Sequence, residues 1–260
     1  VYVFEYYNNQ PDWASANTVA VTAGAETAGI DASLSMSGLI TGTVTNNAGD
    51  PLENISVYAQ QVNGSGYGSA STNATGNYTI GGLPSGDYKV GFWDPNNIYG
   101  PEYYSNQPGW ASANPVAVAA GAETANINAS LSVGGSITGT VTNDAGDPLE
   151  GIEISVQLQG GGNWGYASTD AAGNYTISAL TSGDYRVSFW DPNNIYVPEY
   201  YSNQISWDTA NAVTVAVGAE TAGIDASLSP GCPGPRPHPT PPSHRAGDQN
   251  RAARRARGSR

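Results

Sequence analysis

Almost nothing in the main part of this sequence can act as a nucleophile or a general base. The one cysteine, Cys232, and both histidines, His238 and His244, lie after Ser229. Residues 1–229 therefore hold no imidazole or thiol for Ser-His or Cys-His chemistry. A lone cysteine also rules out a disulfide framework or a Cys-rich zinc site within the chain. Basic residues are scarce as well. Of nine Lys and Arg, seven follow Ser229, whereas only Asp248 of the 22 acidic residues does. The body carries 2 minus 21, or -19, and the last segment 7 minus 1, or +6. A body this acidic repels phosphate backbones and anionic membrane surfaces, so neither nucleic acid nor a membrane is expected as its partner. Apolar runs near the roughly 18 residues of a membrane span are missing, as are long helix-former runs. Paired carboxylates remain as a formal route to glycoside hydrolysis, but most acids here sit in turn motifs, and the chain is expected not to be an enzyme.

What the sequence does have is Gly 33, Pro 17, Tyr 16 and Trp 6 amid many Val, Thr and Ile, a composition for short strands and tight turns. It also has a repeat. TGTVTNNAGDPLE from Thr41 returns as TGTVTNDAGDPLE from Thr138, and GNYTI, SGDY and DPNNIY return at the same offset of 97 residues. The opening VYVFEYYNNQPDW is in the same register, placing Trp13, Trp110 and Trp207 in equivalent positions. The predicted organisation is the last third of a truncated repeat over 1–35, whole repeats over 36–132 and 133–229, and a disordered Pro/Arg-rich tail over 230–260. Since the chain opens in mid-repeat, it reads as a fragment.

Each repeat reads as seven short strands, in the first whole copy near 39–46, 55–61, 67–72, 78–83, 88–93, 116–119 and 125–131, separated by NNAGDP, NATGN, LPSGD and AGAE turns. This predicts an all-β fold of tandem seven-stranded β-sandwich modules. Period-two alternation puts Tyr88, Val90 and Phe92 inside and Lys89 and Trp93 outside, with Tyr185, Val187 and Phe189 against Arg186 and Trp190 in the second copy.

The motif run G-T-V-T-(N/D)-x-x-G-x-P-L, G-N-Y-T-I and L-(P/T)-S-G-D-Y-x-V resembles the carboxypeptidase regulatory-like repeat, a transthyretin-like (prealbumin-like) Greek-key sandwich also described as a carbohydrate-binding-like fold. It is similar, too, to the B-type repeats of bacterial surface adhesins. The resemblance implies a non-catalytic stalk, spacer or attachment module of an extracellular or cell-surface protein. Some adhesin repeats carry a Lys-to-Asn isopeptide bond; here Lys89 is the only lysine and its counterpart is Arg186.

The segment that most resembles a binding site gathers Trp93, Tyr99, Tyr103, Tyr104 and Trp110 around DPNN and Glu102, with Trp190, Tyr196, Tyr200, Tyr201 and Trp207 as the equivalents of the rings. Such rings can stack on sugar faces. They can equally form the small core that a connection of about 20 residues needs, or join one module to the next, and this second use is the favoured expectation. Expected partners are thus neighbouring repeats or further copies of the chain, with polysaccharide as the alternative. No cofactor is expected beyond calcium, for which Asp50, Asp94, Asp147 and Asp191 are the candidate ligands; Asp in such turns more often bonds its own backbone. GGGNWG from Gly160 to Gly165 satisfies G-x-G-x-x-G, but no helix follows, so it reads as a hairpin loop.

Overall fold

A computed structural model describes residues 1–231. The expectation for the tail thus falls, beyond Pro230 and Gly231, outside the described residues. The first module contains β1 (Gly38–Asn46), β2 (Ser56–Gln61), β3 (Tyr67–Ser71), β4 (Asn77–Leu83), β5 (Gly86–Trp93), β6 (Glu102–Tyr103), β7 (Val116–Val118), β8 (Glu123–Thr124) and β9 (Ala129–Leu131). The second contains β10 (Gly135–Asn143), β11 (Glu153–Leu158), β12 (Trp164–Ser168), β13 (Asn174–Leu180), β14 (Gly183–Trp190), β15 (Glu199–Tyr200), β16 (Val213–Val215), β17 (Glu220–Thr221) and β18 (Ala226–Leu228).

In each module two sheets face each other. One runs β4-β1-β8, with β9 also on β1; the other runs β3-β2-β5-β6, with β7 also on β5. The second module repeats both orders. Pairing is antiparallel except where β8 and β9, or β17 and β18, run parallel to β1 or β10. The predicted alternation holds: Tyr88, Val90 and Phe92 are buried against Ile40, Ile80 and Leu131, while Trp93 is 40% exposed. Tyr185, Val187 and Phe189 fill the same places in the second core.

Two elements differ from the seven-strand reading. The strand expected over 125–131 shortens to β9, and an unforeseen strand β8 precedes it, because Asn126, φ 64°, turns left-handed between them, as Gly223, φ 75°, does in the second copy. The added strand β6 has only two residues. It lies between Pro101 and the left-handed pair Ser105 and Asn106, so it has too little alternation to be read from sequence.

Glycine sets how closely neighbouring segments of one sheet approach. A Cβ on Gly42 would sit 2.1 Å from the Ile127 carbonyl oxygen. Its absence lets β1 run alongside Ile127, and the Tyr78 hydroxyl donates to that same oxygen at 2.6 Å. Gly139, Ile224 and Tyr175 repeat the arrangement.

Residues 1–36 contain no named strand and make isolated bridges, Tyr2 with Met36 and Tyr6 with Gln10. Val21, Ile30 and Leu34 are exposed, whereas Val118, Ile127 and Leu131, 97 residues on, are buried.

Candidate functional site

The loop from Asp94 to Trp110 is organised first by a carboxylate. Asp94 is 2% exposed and accepts three backbone N–H bonds, from Asn96 at 2.9 Å, Ile98 at 2.9 Å and Tyr99 at 3.1 Å. Asp191 does the same for Asn193, Ile195 and Tyr196. A buried carboxylate bonded this way fixes a turn. Asp50 and Asp147 sit in exposed turns, where Asn46 and Asn143 donate to their carboxylates. Among the described residues, no group of three or more His, Cys, Asp or Glu is arranged to hold a metal ion.

The aromatic side chains divide into two sets. Tyr99 and Tyr104 pack on the first core, and Tyr196 and Tyr201 on the second. Tyr103 and Trp110 meet edge to face on the outer side of β5, with centroids 6.2 Å apart at 75°; Tyr200 and Trp207 do so at 5.9 Å and 74°. Lys89 lies 5.0 Å from the Trp110 ring centroid and donates to the Trp110 carbonyl, so the only lysine is held by this loop. Arg186 stands over Trp207 at 5.8 Å and pairs with Asp208 at 3.8 Å. Tyr58 adds a hydroxyl bond to Tyr103 at 2.8 Å, and burial pushes the Tyr58 phenol far up. Trp93 and Trp190 stand at the ends of β5 and β14, exposed and half-buried respectively. The described contacts of the paired rings lie within their own module, and their near-perpendicular planes do not form one flat platform.

The contact between modules is made by backbone and small residues beside those rings. Ser132 and Gly134, leaving the first module, form a bridge with its loop: Gly100 N–H donates to Ser132 O at 3.0 Å and Gly134 N–H to Ile98 O at 2.8 Å. Gly218, from the second module, donates to Val133 O at 3.0 Å. Gly109 abuts Gly162 of the β11–β12 hairpin so closely that a Cβ on Gly109 would lie 2.6 Å from the Gly162 Cα. The predicted hairpin loop at Gly160 to Gly165 is thus part of this seam. The bridge recurs as Val3 to Ser35 and Val197 to Ser229, each at 2.9 Å. Between the modules lies a cleft of about 180 Å³, bordered by Gly100, Glu102, Gln107 and Ser132 from one side and Thr181 and Val217 from the other.

Sequence reasoning named the rings and Glu102 and missed Gly100, Ser132 and Gly134. One signal was available for Gly100. From Asp94 to Gln107 the two copies differ at one of 14 positions, Gly100 against Val197. Gly100 is buried, and a Cβ there would meet Thr181 of the next module at 3.4 Å.

Residues 39–132 and 136–229 each match the family model described as carboxypeptidase regulatory-like domain. The serine-aspartate repeat-containing protein F of Staphylococcus epidermidis is 24% identical over 194 residues, covering 68% of this chain and 12% of its own length. The chain therefore spans about one eighth of that relative. Among solved structures, GBS52, the minor pilin of Streptococcus agalactiae, aligns at 16% identity over 79% of this chain and 99% of its own, with a TM-score of 0.38. The shaft pilin SpaA of Lactobacillus rhamnosus GG aligns at 12% identity over 77% and 100%, with a TM-score of 0.31. Among the described residues, no helix is long and apolar enough to cross a membrane.

Proposed function

Since the chain belongs to the carboxypeptidase regulatory-like domain family, with two copies in tandem, we propose that it is a non-catalytic structural repeat of a secreted or cell-surface protein, serving as a stiff stalk segment. One observation carries this reading: the loop from Asp94 to Trp110 braces its own module with aromatic rings and meets the next module through its backbone. Gly134 N–H, crossing from the second module to Ile98 O of the first, and the facing glycines Gly109 and Gly162 limit the relative freedom of the modules, which is what a spacer that projects something from a surface requires. Its staphylococcal relative is by name a repeat-containing protein, which supports the same reading.

The test is segmental motion. Methyl relaxation of the full chain at pH 6 is expected to give one common rotational tensor for the two modules. Independent tumbling would sink the stalk reading. Titration with soluble glucans, chitin oligosaccharides and peptidoglycan fragments is expected to leave the tryptophan emission unchanged. A saturable shift lost in Trp93→Ala/Trp190→Ala would support a glycan-binding array in its place.

A further inference from the structure

Each copy of the loop directs one carboxylate inward. Glu102 stands opposite Phe92, and Glu199 opposite Phe189, in antiparallel ladders. Directly opposed residues project to the same side of a sheet, so both carboxyls share the face of a core phenylalanine. In Glu102, Glu199 and the equivalent Glu5, one carboxyl oxygen, Oε1, is closed off from solvent and has no hydrogen-bond partner. An oxygen in that position is costly to bury when the group is ionised and far less costly when it is neutral.

Glu102 has the second module beside it. It borders the cleft whose far wall is Thr181 and Val217. None of the other cleft-lining residues is charged. From β9, the Ser130 backbone supplies a hydrogen bond; from β5, Glu102 faces Phe92, while Lys89 is held on the outer side by Trp110. Glu199 instead has Asp144 nearby.

We propose that Glu102 is a proton-controlled latch on the module seam: as a neutral acid it allows the second module to seat, and as a carboxylate it draws water into the cleft and loosens the seat. This rests on the stalk reading, since a latch needs a rigid joint to release. The sign follows from burial, which raises the Glu102 carboxyl from 4.5 to about 7. A raised acid holds its proton longer in the seated form, so the seated form is favoured below the ordinary value and loses that advantage as pH rises to about 7. If unseating returned the group fully to its ordinary value, the seated-to-open ratio would fall by about 300-fold, which is an upper limit.

The test is time-resolved energy transfer in the full chain, with dyes on Ser71→Cys and Ser168→Cys, both exposed, and Cys232→Ser to leave no other thiol. A narrow inter-dye distance distribution is expected at pH 5.5 and a broader one at pH 8.5. Glu102→Gln, which mimics the neutral acid, is expected to stay narrow at both values, and Glu199→Gln to behave as the parent does. A parent distribution narrow at both values, or a Glu102→Gln variant that still broadens, would overturn the latch and leave the stalk intact. Broad distributions at every pH in all variants would overturn the stalk reading and the latch with it.

Discussion

Replacing Asp94 tests whether its carboxylate is a turn brace or a metal ligand. Asp94→Ala deletes the acceptor for three backbone N–H groups at 2.9 to 3.1 Å, at a residue 2% exposed. Bonds to a charged acceptor contribute about 1.5–3 kcal/mol each, but they do not add. Asn96 and Ile98 are exposed and can turn to water, whereas Tyr99 is half-buried and anchored on the core. The expected loss is therefore about 3–5 kcal/mol, toward the lower end of the simple sum. In a module of this size each kcal/mol lowers Tm by about 4–8 °C, so the first module should melt at least about 12 °C earlier. Asp94→Asn keeps one acceptor oxygen and turns an N–H2 toward the remaining donors, so about 2–3 kcal/mol should be lost.

Differential scanning calorimetry of the full chain supplies its own reference, because Asp191 makes the same three bonds in the second module. One transition should move and the other hold nearly still. A shift below about 4 °C for Asp94→Ala would refute the brace. So would a chelator that lowers the parent by as much as the substitution does, since that would return the carboxylate to the calcium reading.

Three further outcomes are expected. Ala179 holds φ 60° where the first module has Gly82 at φ 78°, so Ala179→Gly should raise the second transition by about 0.5–1 kcal/mol and Gly82→Ala should lower the first by a similar amount, both read by urea denaturation. Tyr78→Phe leaves the buried Ile127 carbonyl without its 2.6 Å partner and should cost the first module about 1–3 kcal/mol in the same assay. Gly100→Val should broaden the inter-dye distribution at pH 5.5 by crowding Thr181, at an overpacking cost of about 1–3 kcal/mol. It should barely change the first module's own stability, because Val197 already occupies that position in the second.

Much of the fold was legible because β-sandwich cores leave a period-two trace. Tyr88, Val90 and Phe92 alternate with Lys89, Gly91 and Trp93, so the buried face of β5 could be assigned from the sequence, and the turn motifs marked the strand ends. The 97-residue spacing gave the module length. β6 and β8 were not legible, since two residues cannot show alternation, and the shortening of the last strand to β9 depended on one left-handed residue, Asn126. The seam was hidden for a different reason. Its hydrogen bonds run from the N–H groups of Gly100 and Gly134 to the carbonyls of Ser132 and Ile98, and backbone donors and acceptors carry no residue-type signature. The rings drew attention because of their chemistry, while the inter-module work fell to their small neighbours.

The uneven divergence of the two copies follows from this geometry. The hairpins over 54–70 and 151–167 share few residues, and on their outer faces Tyr67, Trp164 and Tyr166 are exposed. A change at those outer positions alters the solvent-facing side of one module, whereas the Gly162 turn of the second hairpin meets Gly109 of the first module. Residues from Asp94 to Gln107 carry three demands at once: Asp94 must receive the turn's N–H groups, Tyr99 and Tyr104 must close the core, and Ile98 and Gly100 must present backbone to the exit strand. Most substitutions would fail at least one demand. The single difference between these two segments is Gly100 against Val197; Gly100 borders the cleft with Thr181 and Val217, and Val3 holds the same place in the opening residues.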